Sequence, residues 1–343
     1  MKRIYLVLIG CVGSLATMAQ AKPAFTQYIL NNYIVNPALS GIENYTDVKL
    51  SYRKQWAGID GAPTTSYLSM HGPIGKSDYR TTATSFEVPG ENPRGRSYVE
   101  QYEAPSPHKG WGFVALNDKA GYISRWSVQG SFAYHKPLSV RTTLSLGFSA
   151  GISSVSLDRS KIVWASLDPN DPAIGLNNGD LQRLTPELGA GLWLYGADYF
   201  IGASVLNIVP NKAKFTKSNQ YGTYYTPNYF LTAGYRFFLN DDISLLPSVM
   251  AQYWQPQLFG LHGNVKMQYR DLLWIGASYR HSDLVAGYSA MAGINVSNTF
   301  NISYAYENAT TSRLRTYTRN THEIMLGFLF GNKYGDSCPR NVW

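Results

Sequence analysis

The residue types that most often carry chemistry are sparse in this chain and stand apart from one another. Its six histidines are His71, His108, His135, His262, His281 and His322. None of them lies at a known catalytic spacing, and no two stand at the spacing of metal ligands. The sequence therefore predicts a protein that is not an enzyme and has no cofactor or metal centre.

Two further features of the sequence could bind ions or charged partners. Asp168, Asn170 and Asp171 lie in the longest predicted loop, but a complete Ca²⁺ cage needs more oxygen ligands than this run supplies. Two other predicted loops carry basic clusters, Lys212, Lys214 and Lys217 in one and Arg313, Arg315 and Arg319 in the other. Such clusters suit an acidic lipopolysaccharide or an acidic cargo, whereas nucleic acid is not expected as a partner of an exported chain.

Residues 53–63 form the densest group of candidate binding residues. Gly58 and Gly61 allow tight turns, and Pro63 fixes the start of the next strand. Asp60 can accept hydrogen bonds from nearby backbone amides. Two interpretations stay open, a motif that stabilises the turn and a contact surface for a partner.

The strand that precedes this turn has one polar face. Arg53 and Gln55 lie on it, together with Asp47 and Lys49. We expect this face to point inward, while Trp56 and other aromatic residues near strand ends belong to the outward face. A further candidate contact is the run before the strand, which contains Gln27, Tyr28, Asn36 and Pro37.

The first residues of the chain resemble an export signal. Lys2 and Arg3 precede an uncharged run over residues 4–18, and the small residues Ala19 and Ala21 follow. This order predicts a signal peptide over residues 1–19, cleaved after Ala19 or Ala21. Cleavage removes two of the 30 basic residues and none of the 22 acidic ones, so the net charge becomes 28 − 22 = +6.

Residues 20–44 are too polar and irregular to cross lipid. We expect them either to fold into the interior as a plug or to stay in the periplasm as a contact strand. The plug is favoured because Phe25, Tyr28, Ile29, Leu30 and Tyr33 need burial.

The composition narrows the fold class. Only 15% of residues are charged, while the chain contains 26 Tyr and 8 Trp. A disordered chain has the opposite balance, and a helical membrane bundle needs several long apolar runs. A β-rich protein with an aromatic surface is left, either a soluble sandwich or a membrane barrel.

Alternation of polar and apolar residues with a period of two dominates residues 45–330 and predicts strands. About fourteen such runs have the length that crosses a bilayer as a tilted strand. They cover residues 45–56, 63–73, 110–119, 122–137, 141–156, 184–196, 198–208, 228–239, 242–254, 258–270, 271–281, 284–297, 298–308 and 320–330. Aromatic residues near their ends, for example Trp111, Trp126, Tyr199, Tyr235 and Tyr269, suit a lipid–water interface.

The predicted connections alternate in length. Short ones at residues 195–198, 240–242, 270–271 and 297–298 fall at one end, and long ones at 157–183, 209–227 and 309–319 fall at the other. This asymmetry is typical of outer-membrane barrels, with short periplasmic turns and long extracellular loops. The sequence therefore predicts an all-β, transmembrane antiparallel β-barrel of about 14 strands in the outer membrane, surrounded by outer-membrane lipid.

Two segments depart from this pattern. Residues 74–109 fall where a short periplasmic turn is expected, and they are either a disordered insertion or a periplasmic docking segment. Residues 331–343 form a polar tail after the last predicted strand.

Several motifs resemble the PorP/SprF family of outer-membrane proteins of the type IX secretion system. The most specific is the run Arg-x-Gln-Trp-x-Gly-x-Asp-Gly-Ala-Pro from Arg53 to Pro63, which follows Phe-Thr-Gln-Tyr at 25–28 and Asn-Pro-Ala at 36–38. Further similarity lies at residues 117–119, 230–237 and 322–328.

The resemblance implies a Bacteroidota outer membrane and a role in exporting or anchoring large adhesins or other cargo with a C-terminal sorting domain. It also implies contact with periplasmic parts of the secretion and gliding machinery. A passive porin or small-molecule transporter is the alternative function for a barrel of this kind.

Overall fold

A computed structural model describes residues 26–76, 96–100, 102–157, 182–209, 211–214, 222–225, 227–254, 258–270, 272–282, 286–309 and 320–332. Seventeen strands occur in these residues. They are β1 (Thr46–Lys54), β2 (Thr64–Ile74), β3 (His108–Ala120), β4 (Ile123–Ser139), β5 (Thr142–Leu157), β6 (Gln182–Tyr195), β7 (Tyr199–Leu206), β8 (Asn211–Lys214), β9 (Gly222–Tyr225), β10 (Asn228–Tyr235), β11 (Phe237–Phe238), β12 (Ile243–Trp254), β13 (Leu258–Tyr269), β14 (Leu273–Ser282), β15 (Gly287–Asn295), β16 (Phe300–Ala309) and β17 (Thr321–Phe330). In this part of the chain, no helix is long and apolar enough to cross a bilayer.

Fourteen of these strands close into one antiparallel barrel. Neighbours in sequence pair along β1–β7 and along β12–β17, while β10 joins β7 to β12. The first strand pairs with the last, from Thr46 opposite Phe330 to Lys54 opposite His322, and this seam completes the ring. A closed ring leaves no strand edge unpaired, which lipid requires. The predicted fourteen-stranded barrel is confirmed.

Three short strands lie outside the simple pattern. The run predicted at 228–239 is interrupted at Arg236, so β11 continues β10 and pairs with the same neighbour, β12. β8 and β9 form a separate two-stranded ladder inside the long connection after β7.

The alternation places polar residues inside the barrel and apolar residues outside. On β13, Val265 is 45% exposed to the surroundings, whereas the adjacent Lys266 is 4% exposed. The same division holds for the outward Leu261 and Met267 and the buried His262. The exposed apolar residues therefore form the lipid-facing surface that the sequence predicts.

The two ends of the barrel differ in their connections. We define the turn end as the end of the barrel at which residues 45 and 331 lie. There, two to four residues join β4 to β5, β6 to β7, β13 to β14 and β15 to β16. At the opposite loop end, the connections span 158–181, 207–227 and 310–320, although 121–122, 255–257 and 283–286 are short. In outer-membrane barrels the short turns face the periplasm, so the turn end is the periplasmic end.

One long connection lies at the turn end, between β2 and β3. It spans residues 75–107 and is shorter than the predicted 74–109, because β2 and β3 extend further than the alternation indicated. It contains a short helix, α1 (Arg96–Glu100). Residues 77–95 and 101, like the tail after residue 332, lie outside the described residues.

Candidate functional site

Residues 26–45, which we call the luminal segment, run through the interior of the barrel. They form three single-turn 3₁₀ helices, Tyr28–Leu30, Asn32–Ile34 and Pro37–Leu39. Asn36 caps the third, because its side-chain oxygen accepts a hydrogen bond from the Ala38 amide at 3.0 Å and Pro37 needs no amide partner. The segment is helical and so is not a contact strand, the second form expected from sequence.

Hydrogen bonds attach the luminal segment to strands around the ring. Asn31 Nδ2 donates to Ser69 Oγ on β2 at 2.8 Å, and the Tyr33 hydroxyl bonds Ser131 Oγ on β4 at 2.6 Å. Four more bonds join Ser145 Oγ to the Ala38 carbonyl, Ser204 Oγ to the Val35 carbonyl, Ser303 Oγ to Gln27 Oε1 and Asn264 Nδ2 to the Tyr28 hydroxyl.

Glycines in the wall make room for the segment. A Cβ on Gly191 of β6 would lie 2.0 Å from Asn36 Oδ1, and one on Gly147 of β5 would lie 2.4 Å from the Ala38 backbone. On β3, a Cβ at Gly110 would lie 1.8 Å from the Ser40 carbonyl oxygen. The luminal segment is therefore seated in a groove that only these glycines allow.

A buried ionic cluster holds the start of the segment near the loop end. Arg53 Nη2 lies 3.3 Å from Glu307 Oε2, and Arg53 Nε lies 3.8 Å from Glu323 Oε2. Arg280 Nη1 reaches Glu307 Oε1 at 3.1 Å. Thr26 completes the cluster, since its amide donates to Glu323 at 2.9 Å and its hydroxyl to Glu307 at 2.6 Å. Two arginines thus balance two carboxylates inside the barrel, as buried charges require.

The segment runs from the loop end to the turn end. Thr26 lies beside Arg53, which is the last residue but one of β1 at the loop end. Ile42 is at the other end, where its carbonyl accepts a hydrogen bond from Lys76 Nζ at 2.8 Å just after β2. The chain therefore crosses the whole lumen before β1 begins.

A second charged cluster and a small cavity lie beside the segment. The Glu187 carboxylate on β6 accepts hydrogen bonds from Arg125, Gln129 and Ser127, the last at 2.7 Å. Next to it, a cavity of about 80 Å³ is lined by residues that include Tyr28, Val35, Phe230, Met250, Trp254 and His262. This volume holds a few water molecules.

The loop between β1 and β2, residues 55–63, lies at the loop end, where Gly58, Asp60 and Gly61 are exposed and Trp56 is half-buried. Gly58 and Gly61 adopt φ of +93° and +70°, which confirms that they make the turns, and Trp56 also has a positive φ of +51°. Backbone bonds join this loop to its neighbours, from the Ala57 amide to the Asn320 carbonyl at 2.8 Å and from the Gly121 amide to the Gly61 carbonyl at 2.9 Å.

One detail of this loop differs from the sequence-based expectation. Within the described residues the Asp60 carboxylate accepts no hydrogen bond, because the turn is closed by backbone bonds from Ile59 and Ala62 instead. Asp60 is exposed and points its charge to the surroundings. The expected role of Asp60 as an acceptor for nearby amides was wrong.

The residues proposed from sequence as partner contacts fall into two groups. Gln27, Tyr28, Asn36, Pro37 and Arg53 are buried, and the barrel wall or the luminal segment occupies their polar groups. Gln55, Trp56, Gly58, Asp60, Gly61 and Pro63 lie in the loop, where Gly58, Asp60 and Gly61 are exposed and Gln55 accepts a hydrogen bond from Arg53 at 2.9 Å. Partner contact stays a prediction for both groups, and only the second presents exposed atoms.

Sequence reasoning missed the carboxylates of the ionic cluster. Glu307 and Glu323 lie on polar faces of the last two strands, 254 and 270 positions after Arg53. Their position on inward faces near strand ends was readable from the alternation. Their convergence on Arg53 was not, because it depends on the closure of β17 against β1.

Helix α1 and the residues after it pack against the turn end and form a turn-end cap, defined as the described residues 96–100 and 102–107. Val99 and Tyr102 are buried with Ala197 of the β6–β7 turn and with Phe238. Arg141 Nη2 donates to the Val99 carbonyl at 2.9 Å, and the Ala104 amide donates to the Val140 carbonyl at 2.6 Å. The described part of the insertion is therefore packed, which contradicts a disordered interpretation for this part.

His108, His135 and His262 pack against other rings in the described part of the chain. His108 and His135 stack with ring centroids 4.4 Å apart, and His135 Nε2 donates to the Ser40 carbonyl at 2.8 Å. His262 packs edge-on against Tyr28. Across the described ranges, no three His, Cys, Asp or Glu residues group as metal ligands. The calcium candidate at 168–171 and both basic loop clusters lie outside the described side chains.

A closed antiparallel barrel with an apolar exterior and a polar, occupied interior defines this protein as an outer-membrane β-barrel. A family model described as "Type IX secretion system membrane protein PorP/SprF" matches residues 17–328. The chain belongs to this family. It is therefore a membrane component of type IX secretion, as its motifs predict.

Solved barrels show distant similarity. Omp33 of Acinetobacter baumannii has 8% identity and a TM-score of 0.45, and the match covers 85% of this chain and all of that one. The Ralstonia pickettii toluene transporter TbuX has 10% identity and a TM-score of 0.47, covering 91% and 96%. These values say nothing about substrate or partner. A comparison with curated proteins returned no match.

Proposed function

We propose that this protein is a closed, non-enzymatic barrel that holds a secreted cargo protein at the outer membrane. The cargo is a large cell-surface adhesin or another protein with a C-terminal sorting domain. The proposal includes delivery of that cargo by periplasmic type IX secretion components and a link to gliding motility. Membership of the PorP/SprF family supports it.

The luminal segment is the observation that carries the proposal. It fills the interior from Thr26 to Ile42 and is bonded to at least eight strands of the wall. A passive porin needs a continuous aqueous path, which these contacts obstruct. A closed barrel favours a protein that works by binding at its two ends.

The exposed loop at residues 55–63 is the proposed cargo surface. It presents Trp56, Gly58 and Asp60 at the loop end, and its backbone is fixed by bonds to two neighbouring connections. A rigid loop with an aromatic residue loses little entropy on binding, which supports a role as an interface anchor.

The turn-end cap is the proposed surface for the secretion machinery. Its side chains Arg96, Glu100 and Glu103 border the packed residues Val99 and Tyr102. A periplasmic element that is held in one arrangement by the barrel turns suits docking of a periplasmic protein.

Two measurements test the proposal. In planar bilayers the purified full chain is expected to give no large constitutive current, and cargo with a C-terminal sorting domain is expected to co-purify with it. The paired substitution Trp56→Ala and Asp60→Ala should release the cargo, while Lys136→Gln, at the other end of the barrel, should retain it. A large steady current without cargo would instead establish the porin.

A further inference from the structure

At the loop end, the outward-facing residues of four adjacent strands form three rows that differ in polarity. Across β17, β1, β2 and β3, the first row is His322, Lys54, Thr64 and Lys119. The second row is Ile324, Tyr52, Ser66 and Asn117, and the third is Leu326, Leu50, Leu68 and Ala115. The next strand, β4, adds Ser124, Trp126 and Val128 to the three rows. Polarity therefore falls row by row toward the middle of the membrane.

The first row carries positive charge at the loop end of the strands. Lys54 and Lys119 are exposed and stand on either side of Thr64, two strand spacings or about 10 Å apart. The acidic residues next to the row, Asp118 and Glu323, face the lumen, where Asp118 accepts a hydrogen bond from Thr65 at 2.6 Å. On these strands the outward charge is not neutralised by a carboxylate.

A groove lies next to the two lysines on the side of the membrane interior, and residues of the second and third rows line it. Ser66 and Asn117 lie between the rings of Tyr52 and Trp126 in the second row, and Leu68 and Ala115 continue the lining in the third. Tyr52 is 54% exposed, so one side of the groove stands out from the sheet. The third row lies four residues, roughly 13 Å, below the first, which is acyl-chain depth.

We propose that this groove is a binding site for the phosphorylated, acylated glycolipid of the outer leaflet. The Lys54 and Lys119 ammonium groups pair with phosphate, and one acyl chain lies between Tyr52 and Trp126. Charge complementarity selects this occupant, because zwitterionic phospholipid offers no net negative charge to two lysines. The site is independent of the cargo surface, since it faces lipid.

Native mass spectrometry of the purified full chain, titrated with purified bis-phosphorylated lipid A, tests the site. The double variant Lys54→Gln with Lys119→Gln is expected to bind lipid A roughly thirtyfold more weakly, because each of the two lysines strengthens binding to an anionic lipid. Ser66→Leu, which fills the groove, should also weaken binding. Lys136→Gln removes an exposed outward lysine near the turn end and should leave binding unchanged.

Three results would overturn the proposal. They are equal binding by the double variant and the Lys136 variant, equal binding of dephosphorylated lipid A, and preferential binding of phosphatidylethanolamine. Heat-dependent electrophoretic mobility identifies folded barrel in each sample, so a loss of binding is scored on folded protein alone. Glycolipid binding that requires both lysines and phosphate supports it.

Discussion

Thr26 and Glu307 share a hydrogen bond of 2.6 Å although 281 positions separate them in the chain. The bond joins the start of the luminal segment to the penultimate strand of the barrel. Arg53 bonds both residues, from Nε to the Thr26 hydroxyl at 3.2 Å and from Nη2 to Glu307 at 3.3 Å. One arginine therefore connects the segment, the first strand and the end of the chain.

Removing this arginine should destabilise the barrel. Arg53→Gln leaves the carboxylates of Glu307 and Glu323 buried with a single remaining cation, and breaking a buried pair of this kind costs about 3–5 kcal/mol. The expected result is a lower unfolding midpoint in the electrophoretic mobility assay. The matched control is Arg270→Gln, which breaks the exposed pair with Asp242 and should change nothing measurable. Equal midpoints for the two variants would contradict a structural role for the cluster.

Adding one methyl group inside the groove should displace the luminal segment. In Gly147→Ala the new Cβ would meet the Ala38 backbone at 2.4 Å, and a backbone cannot move aside cheaply. We expect easier proteolysis of the segment and the appearance of bilayer current. Gly130→Ala is the control, because it lies on the neighbouring β4 and its new methyl group would have no atom within 4 Å. The idea fails if both variants behave like the wild type.

Deleting residues 26–42 should open the lumen. The wall residues Ser69, Ser131 and Ser204 would then face water in place of Asn31, Tyr33 and the Val35 carbonyl. The expected outcome is a steady current in planar bilayers that the full chain lacks. A silent deletion variant that still migrates as folded barrel would show that another part of the chain closes the pore.

Loosening the turn-end cap should affect the periplasmic side alone. Val99→Asp places a charge among Tyr102, Ala197 and Phe238, and an unpaired buried charge is strongly disfavoured. Limited proteolysis should then cut within residues 96–107 while the barrel keeps its mobility shift. Arg96→Gln disrupts only the exposed pair with Glu100 and should remain resistant. Loss of the barrel itself in the Val99 variant would mean that the cap is part of the core fold.

The strands were predicted well from the sequence because polar and apolar residues alternate within each strand. Val265 faces outward and Lys266 faces inward, and this alternation can be recognised in the local sequence. It continues along the strands because outward side chains contact lipid and inward side chains make polar contacts. The interruption at Arg236 was missed, since the alternation continues across it. The burial of Tyr28, Ile29 and Tyr33 was expected from their apolar character.

The candidate site was only partly predictable. Arg53 and Gly58 were identified from a compact motif, but the acceptors of Arg53 come from strands that follow it by more than 250 positions. The glycines that seat the segment, such as Gly147 and Gly191, look like ordinary small residues of a strand. Their role becomes visible only when the segment lies against them, and nothing local in the sequence indicates that contact.

The ionic cluster has a consequence for how the molecule is assembled. Arg53 lies opposite Glu323 across the seam where the first and last strands meet, and Thr26 bonds the same carboxylate. Until the final strand arrives, Arg53 has no Glu323, and Thr26 has no acceptor there for its amide. Closure of the ring therefore completes the contacts of Arg53 and of Thr26 at the same carboxylate.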